Sequence, residues 1–279
     1  MERTLNYRDH RRELGDNRYV YPVVSRRAAG LSIGVNLNPD KVCNFDCPYC
    51  QVDRRVPGDE ARIDLDRLKS ELDDVLDRVT QGDLWSKAPF STVAPELRRV
   101  ADIALAGDGE PTSPPEFPAA ADLLRRCRDG AGLTVPIRLL TNSTLLHRAR
   151  VKLGLPFVDE LWCKLDAGTE SWFSKVDGTS FPFERVLANL RETVARRPIV
   201  VQSMFCALGD EAPDDAEIAA WAGRLAELAT IGTVQEVQVY TVARPPADSS
   251  VRALPRARLD AIAAVASARG LKVEVWGGV

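Results

Sequence analysis

The sequence alternates short apolar runs with longer amphipathic segments along most of its 279 residues. Apolar runs bounded by polar or turn residues predict strands, and segments with helical periodicity predict helices. The predicted strands are residues 31–37, 103–106, 137–141, 160–166, 199–205 and 236–242, with 271–276 as a further candidate, and the predicted helices are 64–78, 116–128, 183–196, 214–228 and 256–268. Buried strands alternating with helices are typical of a parallel sheet with right-handed crossovers.

The number of these units favours one architecture. We predict an α/β fold, a partial (β/α)6 TIM-like barrel with parallel strands, while a doubly wound sheet stays open as an alternative. Residues 31–279 are expected to form the barrel core and residues 1–30 an N-terminal extension. The segment 57–98 is longer than one unit needs, which predicts an insertion or a second short helix there.

Charge and hydropathy limit the possible partners. The chain begins with a charged segment, and its apolar runs fall far short of the roughly 20 residues that span a bilayer. We therefore expect a cytoplasmic protein without a membrane partner. The net charge is -3, so a nucleic-acid partner is possible but is not supported by a global basic field.

The clearest chemical signal is a group of cysteines, Cys43, Cys47 and Cys50, with no histidine nearby. A structural zinc site needs four ligands, whereas three thiolates suit an iron-sulfur cluster that leaves one iron open to another ligand. A zinc site with a distant fourth ligand and buried structural cysteines remain as alternatives. Isolated cysteines elsewhere are expected to be small buried side chains, at Cys127, Cys163 and Cys206.

Other polar motifs follow the next predicted strands. GDGEPT (107–112), TNST (141–144) and LDAGT (165–169) come after the second, third and fourth strands, as the cysteines come after the first. Barrels and open α/β sheets place their active sites at the carboxyl ends of parallel strands. The four groups are therefore expected to converge.

The stretch CNFDCPYC resembles the CxxxCxxC loop of the radical S-adenosylmethionine (SAM) enzymes. This resemblance implies that Cys43, Cys47 and Cys50 bind a 4Fe-4S cluster whose open iron is chelated by SAM, and that Tyr49 lies against the adenine. GDGEP resembles the family's GGEP motif, which binds the methionyl amino group, although Asp108 departs from the commoner glycine. Further SAM contacts implied in this way are Gly107, Asp108, Gly109 and Glu110 of that motif, Asn142 near the carboxylate, Asp166 near the ribose, and Thr241 with Tyr240 near the adenine.

The family resemblance also implies the chemistry. A reduced cluster donates one electron to SAM, and the resulting 5'-deoxyadenosyl radical abstracts hydrogen from a substrate, here a small metabolite or nucleoside. An external donor such as flavodoxin or ferredoxin would supply the electron. Longer stretches resemble Fe-S oxidoreductases related to the tRNA wybutosine-synthesis enzymes, but no cysteine precedes Cys43 to bind a second cluster, so their tRNA chemistry is not carried over.

Several alternatives remain at this stage. A glycyl-radical activase acting on a partner protein needs only one cluster, and an iron-sulfur electron carrier or a zinc-stabilised binding module would not be an enzyme. An electron carrier normally uses four cysteines, which disfavours it. Two further residues are candidates without a settled role: Arg244 for a substrate carboxylate or phosphate, and Lys164, whose side chain has equal chances of facing inward or outward.

Overall fold

The computed structural model describes residues 14–25, 27–59, 62–244 and 246–277, and these residues form two compact units. The first unit contains the described residues up to Val42, Pro57–Leu140 and Arg148–Glu160. The second unit contains Cys43–Val56, Thr141–His147 and the described residues from Leu161 onward.

The first unit is built on strands with a buried apolar face. One antiparallel pair, β1 (Val20–Ser25) with β2 (Gly30–Val35), is extended by parallel pairing of β2 with β3 (Val100–Leu105) and of β3 with β4 (Ile137–Thr141). Every residue of β2 is buried, as are the last five residues of β3, as expected for strands covered on both faces. The last residue of β4 belongs to the second unit.

The second unit contains a parallel group of strands and a small antiparallel ribbon. Its strands are β5 (Glu160–Lys164), β6 (Ile199–Met204), β7 (Cys206–Leu208), β8 (Val234–Tyr240), β9 (Val251–Ala253) and β10 (Val273–Trp276). The first residue of β5 belongs to the first unit. β6 pairs in parallel with β5 and with β8, and β8 pairs in parallel with β10. β7 and β9 pair with each other in antiparallel orientation. Parallel strands end at a common edge, so the loops after β5, β6 and β8 meet at that edge.

Helices connect most of the strands. They are α1 (Leu65–Thr80), α2 (Phe117–Gly130), α3 (Ala149–Gly154), α4 (Glu170–Val176), α5 (Phe183–Val194), α6 (Asp215–Ile231) and α7 (Arg256–Ser267). Side-chain oxygens of Asp64, Thr169 and Asp214 accept N–H groups in the first turns of α1, α4 and α6, which satisfies donors that lack partners at a helix start. Within the described residues, no helix combines the length and apolar character needed to cross a membrane.

The predicted strands and the five longer helices all exist, and the strand at 137–141 has its predicted bounds. Sequence analysis missed β1, the β7 and β9 ribbon, and the short helices α3 and α4. The ribbon strands have three residues each, too few to show an alternating pattern, and β1 contains a proline. The described residues of segment 57–98 contain α1 and three short 3-10 turns. The predicted domain bounds stay a prediction, and residues 1–13 of the proposed extension lie outside the described part.

Candidate functional site

The cysteine loop (Cys43–Cys50) is anchored by its other residues and leaves its cysteines partly exposed. Cys43, Cys47 and Cys50 are each partly exposed and none forms a disulfide. The backbone N–H of Cys50 donates to the Cys47 carbonyl at 2.9 Å, which closes a turn between the last two cysteines. Phe45 is buried and packs edge-on against Phe173, with ring centroids 5.5 Å apart. The loop therefore presents three thiols while the side chain of Phe45 is held in the core.

A glycine after helix α4 packs closely against the backbone of this loop. The backbone N–H of Asp46 donates to the carbonyl oxygens of Asp177 and Gly178 at 3.2 and 3.3 Å. Gly178 has a φ of +56°, and a Cβ added there would lie 2.0 Å from the Asp46 carbonyl oxygen. Only glycine permits both this left-handed conformation and this close approach. The Asp-Gly pair at 177–178 is a turn signal in the sequence, but its contact with the cysteine loop could not be read from it.

An amide network joins the loop to the residues after β4. Nδ2 of Asn142 donates to Oδ1 of Asn44 at 2.7 Å, and Nδ2 of Asn44 donates to the Thr144 hydroxyl at 2.6 Å. Thr144 in turn donates to Oδ1 of Asn142 at 2.7 Å. The predicted meeting of the third strand end with the cysteines is confirmed. The SAM contact of Asn142 stays a prediction, because in this structure its amide binds the neighbour of Cys43.

A compact group, which we call the Lys164 cluster, consists of Lys164, Cys47, Tyr49, Asp166 and Asp177. The two aspartates are buried, and the other three residues are partly buried. Nζ of Lys164 lies 3.0 Å from Sγ of Cys47 and 3.3 Å from a carboxylate oxygen of Asp166, and it forms an ion pair with Asp177. The hydroxyl of Tyr49 donates to Asp166. Lys164 thus faces inward, and sequence analysis left this orientation open.

Burial and mutual charge shift the pKa values within this cluster. Burial raises the pKa of the Cys47 thiol to about 12, against the opposing attraction of Lys164. Burial also raises the pKa of Asp177 to about 7, again opposed by Lys164. For Lys164, burial favours the neutral amine, but Asp177, Cys47 and Asp166 together raise its pKa well above the usual value. One ammonium group is therefore surrounded by acidic side chains and stays charged.

Both carboxylate oxygens of Asp166 contact other groups of the protein. Its Oδ1 accepts the backbone N–H of Met204 at 2.9 Å, while Oδ2 contacts Tyr49 and Lys164, and the residue is only 1% exposed. Tyr49 reaches this acid through its hydroxyl, and burial raises the pKa of that phenol strongly. The structure therefore brings Tyr49 and Asp166 together, and their predicted contacts with adenine and ribose stay predictions.

The loop after β5 is held by a residue that sequence analysis missed. Glu217, buried on α6, accepts the backbone N–H of Gly168 at 2.5 Å and the hydroxyl of Thr169 at 2.6 Å. A Cβ on Gly168 would lie 2.0 Å from the backbone nitrogen of Trp221. Glu217 stands in the first turn of α6, where an acidic residue is common for helical reasons alone, so no local signal distinguished it.

Two residues near the end of β8 have different surroundings. Thr241 is buried, and its hydroxyl oxygen accepts the backbone N–H of Leu254 at 3.0 Å. Arg244 is half-buried, its carbonyl oxygen accepts Nε2 of Gln51 at 3.2 Å, and burial lowers the pKa of its guanidinium. The Gln51 contact joins the loop after β8 to the residue that follows Cys50. The proposed adenine and substrate contacts at these positions stay predictions.

The GDGEP motif lies in the first unit and is closely packed. A Cβ on Gly109 would lie 2.1 Å from the Val42 carbonyl oxygen, and one on Gly107 would lie 2.2 Å from Oδ1 of Asn36. Asp108 accepts Nδ2 of Asn36 at 2.8 Å. Glu110 is 2% exposed, and its Oε1 accepts the Thr112 hydroxyl at 2.6 Å. Glu110 is therefore a buried, hydrogen-bonded carboxylate, in contrast to an exposed acidic side chain on a surface loop.

The donor set also bears on the kind of metal group. Among the described residues, no three histidine, cysteine or acidic side chains are placed to bind a single metal ion. Three cysteines on one loop are a donor set that fits an iron-sulfur cluster, in which each thiolate binds a different iron. Cys47 and Cys50 also line an open cavity of about 490 Å³ beside Arg54, Asp46 and Asp248.

Several solved structures share this fold. A radical SAM methyltransferase from Sphaerobacter thermophilus is 16% identical, with 92% of this chain and 69% of that chain covered, and the TM-score is 0.64. SuiB of Streptococcus suis bound to S-adenosylmethionine is 11% identical, with 91% of this chain and 52% of that chain covered, and the TM-score is 0.58. TYW1 with a lysine-pyruvate adduct is 13% identical, with 86% of this chain and 74% of that chain covered, and the TM-score is 0.57. These likenesses confirm the predicted α/β partial-barrel fold.

Curated relatives match part of their own length. The chain is 28% identical over 156 residues to UPF0026 protein MJ1312 of Methanocaldococcus jannaschii, which covers 56% of this chain and 42% of that protein. It is 25% identical over 189 residues to a UPF0026 protein of Helicobacter pylori, covering 67% and 53%, and 25% identical over 190 residues to GTPase Obg of Brachyspira hyodysenteriae, covering 67% and 25%. The chain thus spans a quarter to about half of these relatives. No family model matches the chain.

Proposed function

We propose that this protein is a radical SAM enzyme that binds a 4Fe-4S cluster through Cys43, Cys47 and Cys50. The observation that carries the proposal is the anchored cysteine loop, which presents three partly exposed thiols in a chain with this fold. When bound, the reduced cluster would supply one electron that cleaves SAM to a 5'-deoxyadenosyl radical, which abstracts hydrogen from a substrate.

The chain's own residues would orient and shield the reactants. Asn44 and Gly178 hold the loop in shape, and the Lys164 cluster keeps charged groups beside Cys47 away from water. Exclusion of water limits side reactions of a reactive intermediate. Tyr49 has its hydroxyl fixed on Asp166, so its ring has a defined orientation for the proposed adenine contact. Glu110 is the acceptor that we propose for the methionyl ammonium group, as a charge-assisted hydrogen bond.

Proteins that share this fold differ in the molecules they bind. The solved neighbours include a methyltransferase, a protein bound to a precursor peptide, and one with a lysine-pyruvate adduct. A shared fold therefore accommodates different substrates. We propose a small metabolite or nucleoside, with an external one-electron donor such as flavodoxin or ferredoxin.

The test is anaerobic reconstitution with iron and sulfide, followed by dithionite reduction with excess SAM and quantification of 5'-deoxyadenosine. Wild type and Cys127→Ala should both bind four irons and form the nucleoside, because Cys127 is a buried helix residue in the first unit. Cys47→Ala should form none. If the wild type binds four irons but neither cleaves SAM nor changes its cluster spectrum when SAM is added, the proposal fails and an electron carrier is the better interpretation.

A further inference from the structure

Lys164 stands directly beside one of the proposed cluster ligands. It is the last residue of β5, its side chain is 16% exposed, and its Nζ lies 3.0 Å from Sγ of Cys47. The ammonium group also lies 5.0 and 4.9 Å from the ring centroids of Phe45 and Tyr49. Aromatic faces attract a cation and at the same time keep water from it. The contact with the sulfur therefore occurs in a poorly hydrated environment.

The position of this cation is fixed on the other side by acids. Asp177 pairs with Nζ, and Asp166 lies 3.3 Å away, with side chains 2% and 0% exposed. Because Asp177 also accepts the Asp46 N–H through its backbone carbonyl, the ion pair is tied to the cysteine loop itself. The ammonium cannot swing away from Cys47 without leaving its carboxylates buried and unpaired, which is costly.

A cation fixed on a ligand sulfur changes the two redox states of a cluster unequally. The reduced cluster carries one more negative charge than the oxidised cluster, so a nearby ammonium stabilises the reduced form more. Charge and hydrogen bonds to the sulfurs are recognised determinants of cluster potentials. Weak screening by water strengthens the effect in a buried site. A negative charge at the same place acts with the opposite sign.

We propose that the Lys164 and Asp177 pair sets the reduction potential of the cluster, Lys164 raising it through Cys47 and Asp177 lowering it. This inference rests on the proposed function, because it requires the cluster to be bound at the cysteine loop. Lys164 is thus assigned as a tuning residue that acts through Cys47 and has no direct part in hydrogen abstraction.

The experiment is a redox titration of the reconstituted protein without SAM, with mediators and dithionite as reductant, read by electron paramagnetic resonance. At the wild-type midpoint potential, Lys164→Met should lower the ratio of reduced to oxidised cluster at least tenfold, which for one electron is about 59 mV. Lys164→Arg should recover most of that loss because it keeps the charge. Asp177→Asn should shift the potential upward. Lys175→Met, which removes an exposed lysine paired with Glu211, should leave it unchanged.

Opposite signs separate charge from structural damage, which would move both variants the same way. An unchanged potential in Lys164→Met with four irons bound, or a downward shift in Asp177→Asn, overturns the proposal. Should Lys164→Met fail to fold, Asp177→Asn decides alone, since no upward shift there also overturns it. Failure of the proposed function looks different: the wild type then holds no four-iron cluster, or holds one that does not cleave SAM.

Discussion

Gly178→Ala provides the sharpest test of how the cysteine loop is supported. The alanine would have to adopt a φ of +56° with its Cβ 2.0 Å from the Asp46 carbonyl oxygen, whereas real Cβ contacts essentially never fall below 3.0 Å. Either the loop or the end of α4 must therefore move by about 1 Å. The left-handed backbone alone costs about 1–2 kcal/mol for a residue with a Cβ.

A matched control isolates the backbone cost from the steric cost. Gly270 has a φ of +81° and nothing within 4 Å of an added Cβ, so Gly270→Ala should lose only the backbone term, about 1–2 kcal/mol of unfolding free energy. Gly178→Ala should lose clearly more, about 3 kcal/mol or above, since overpacking typically adds 1–3 kcal/mol.

The assay combines urea unfolding of the metal-free proteins with iron content after reconstitution. Gly178→Ala is expected to bind less iron than wild type, because the added methyl group displaces the backbone of Asp46, which is adjacent to Cys47 in the cysteine loop. Gly270→Ala is expected to bind the wild-type amount. Equal stability losses in the two variants, together with full iron loading of Gly178→Ala, would refute the reasoning that this glycine positions the loop.

Three further predictions follow from individual contacts. Tyr49→Phe removes the hydroxyl that Asp166 accepts, so thermal unfolding should show a loss of about 1–3 kcal/mol, and an unchanged melting temperature would contradict it. Burial raises the pKa of the Cys127 thiol from 9.0 to about 11, so the folded state keeps this proton to a higher pH than the unfolded state does. The unfolding free energy should therefore fall as the pH rises from 9 through 11. Urea titrations at pH 8 and 10.5 should show a smaller fall in Cys127→Ala than in wild type. Arg54→Gln removes a contact of 3.3 Å between Nη1 and Sγ of Cys50. It should lower the reduction potential of the cluster by less than Lys164→Met does, because the Arg54 side chain is 24% exposed and solvent screens its charge. A shift in the redox titration equal to or larger than that of Lys164→Met would argue against screening by solvent.

Local pattern was enough to predict most of the architecture. The run IRLLT at 137–141 is apolar and short, and it forms a strand with those bounds. Helix α1 buries Leu68, Leu72, Val75 and Leu76, spaced as its periodicity predicted. The three-residue strands β7 and β9 escaped notice because each is stabilised by pairing with the other, and pairing partners leave no trace in a short local window.

The sequence by itself determined the chemistry that this protein can offer: three thiols with a spacing suited to a cluster, a Gly-Glu-Pro loop, and polar residues at strand ends. Only the tertiary structure decided which side chains surround those thiols. Lys164 and Asp177 reach Cys47 from 117 and 130 residues away, and Asn142 reaches Asn44 from 98 residues away. Periodicity and ligand chemistry are local properties of a sequence, whereas these contacts depend on how distant elements pack. Neighbouring residues alone do not determine which face of a strand points inward, or which residues far apart in sequence form an ion pair.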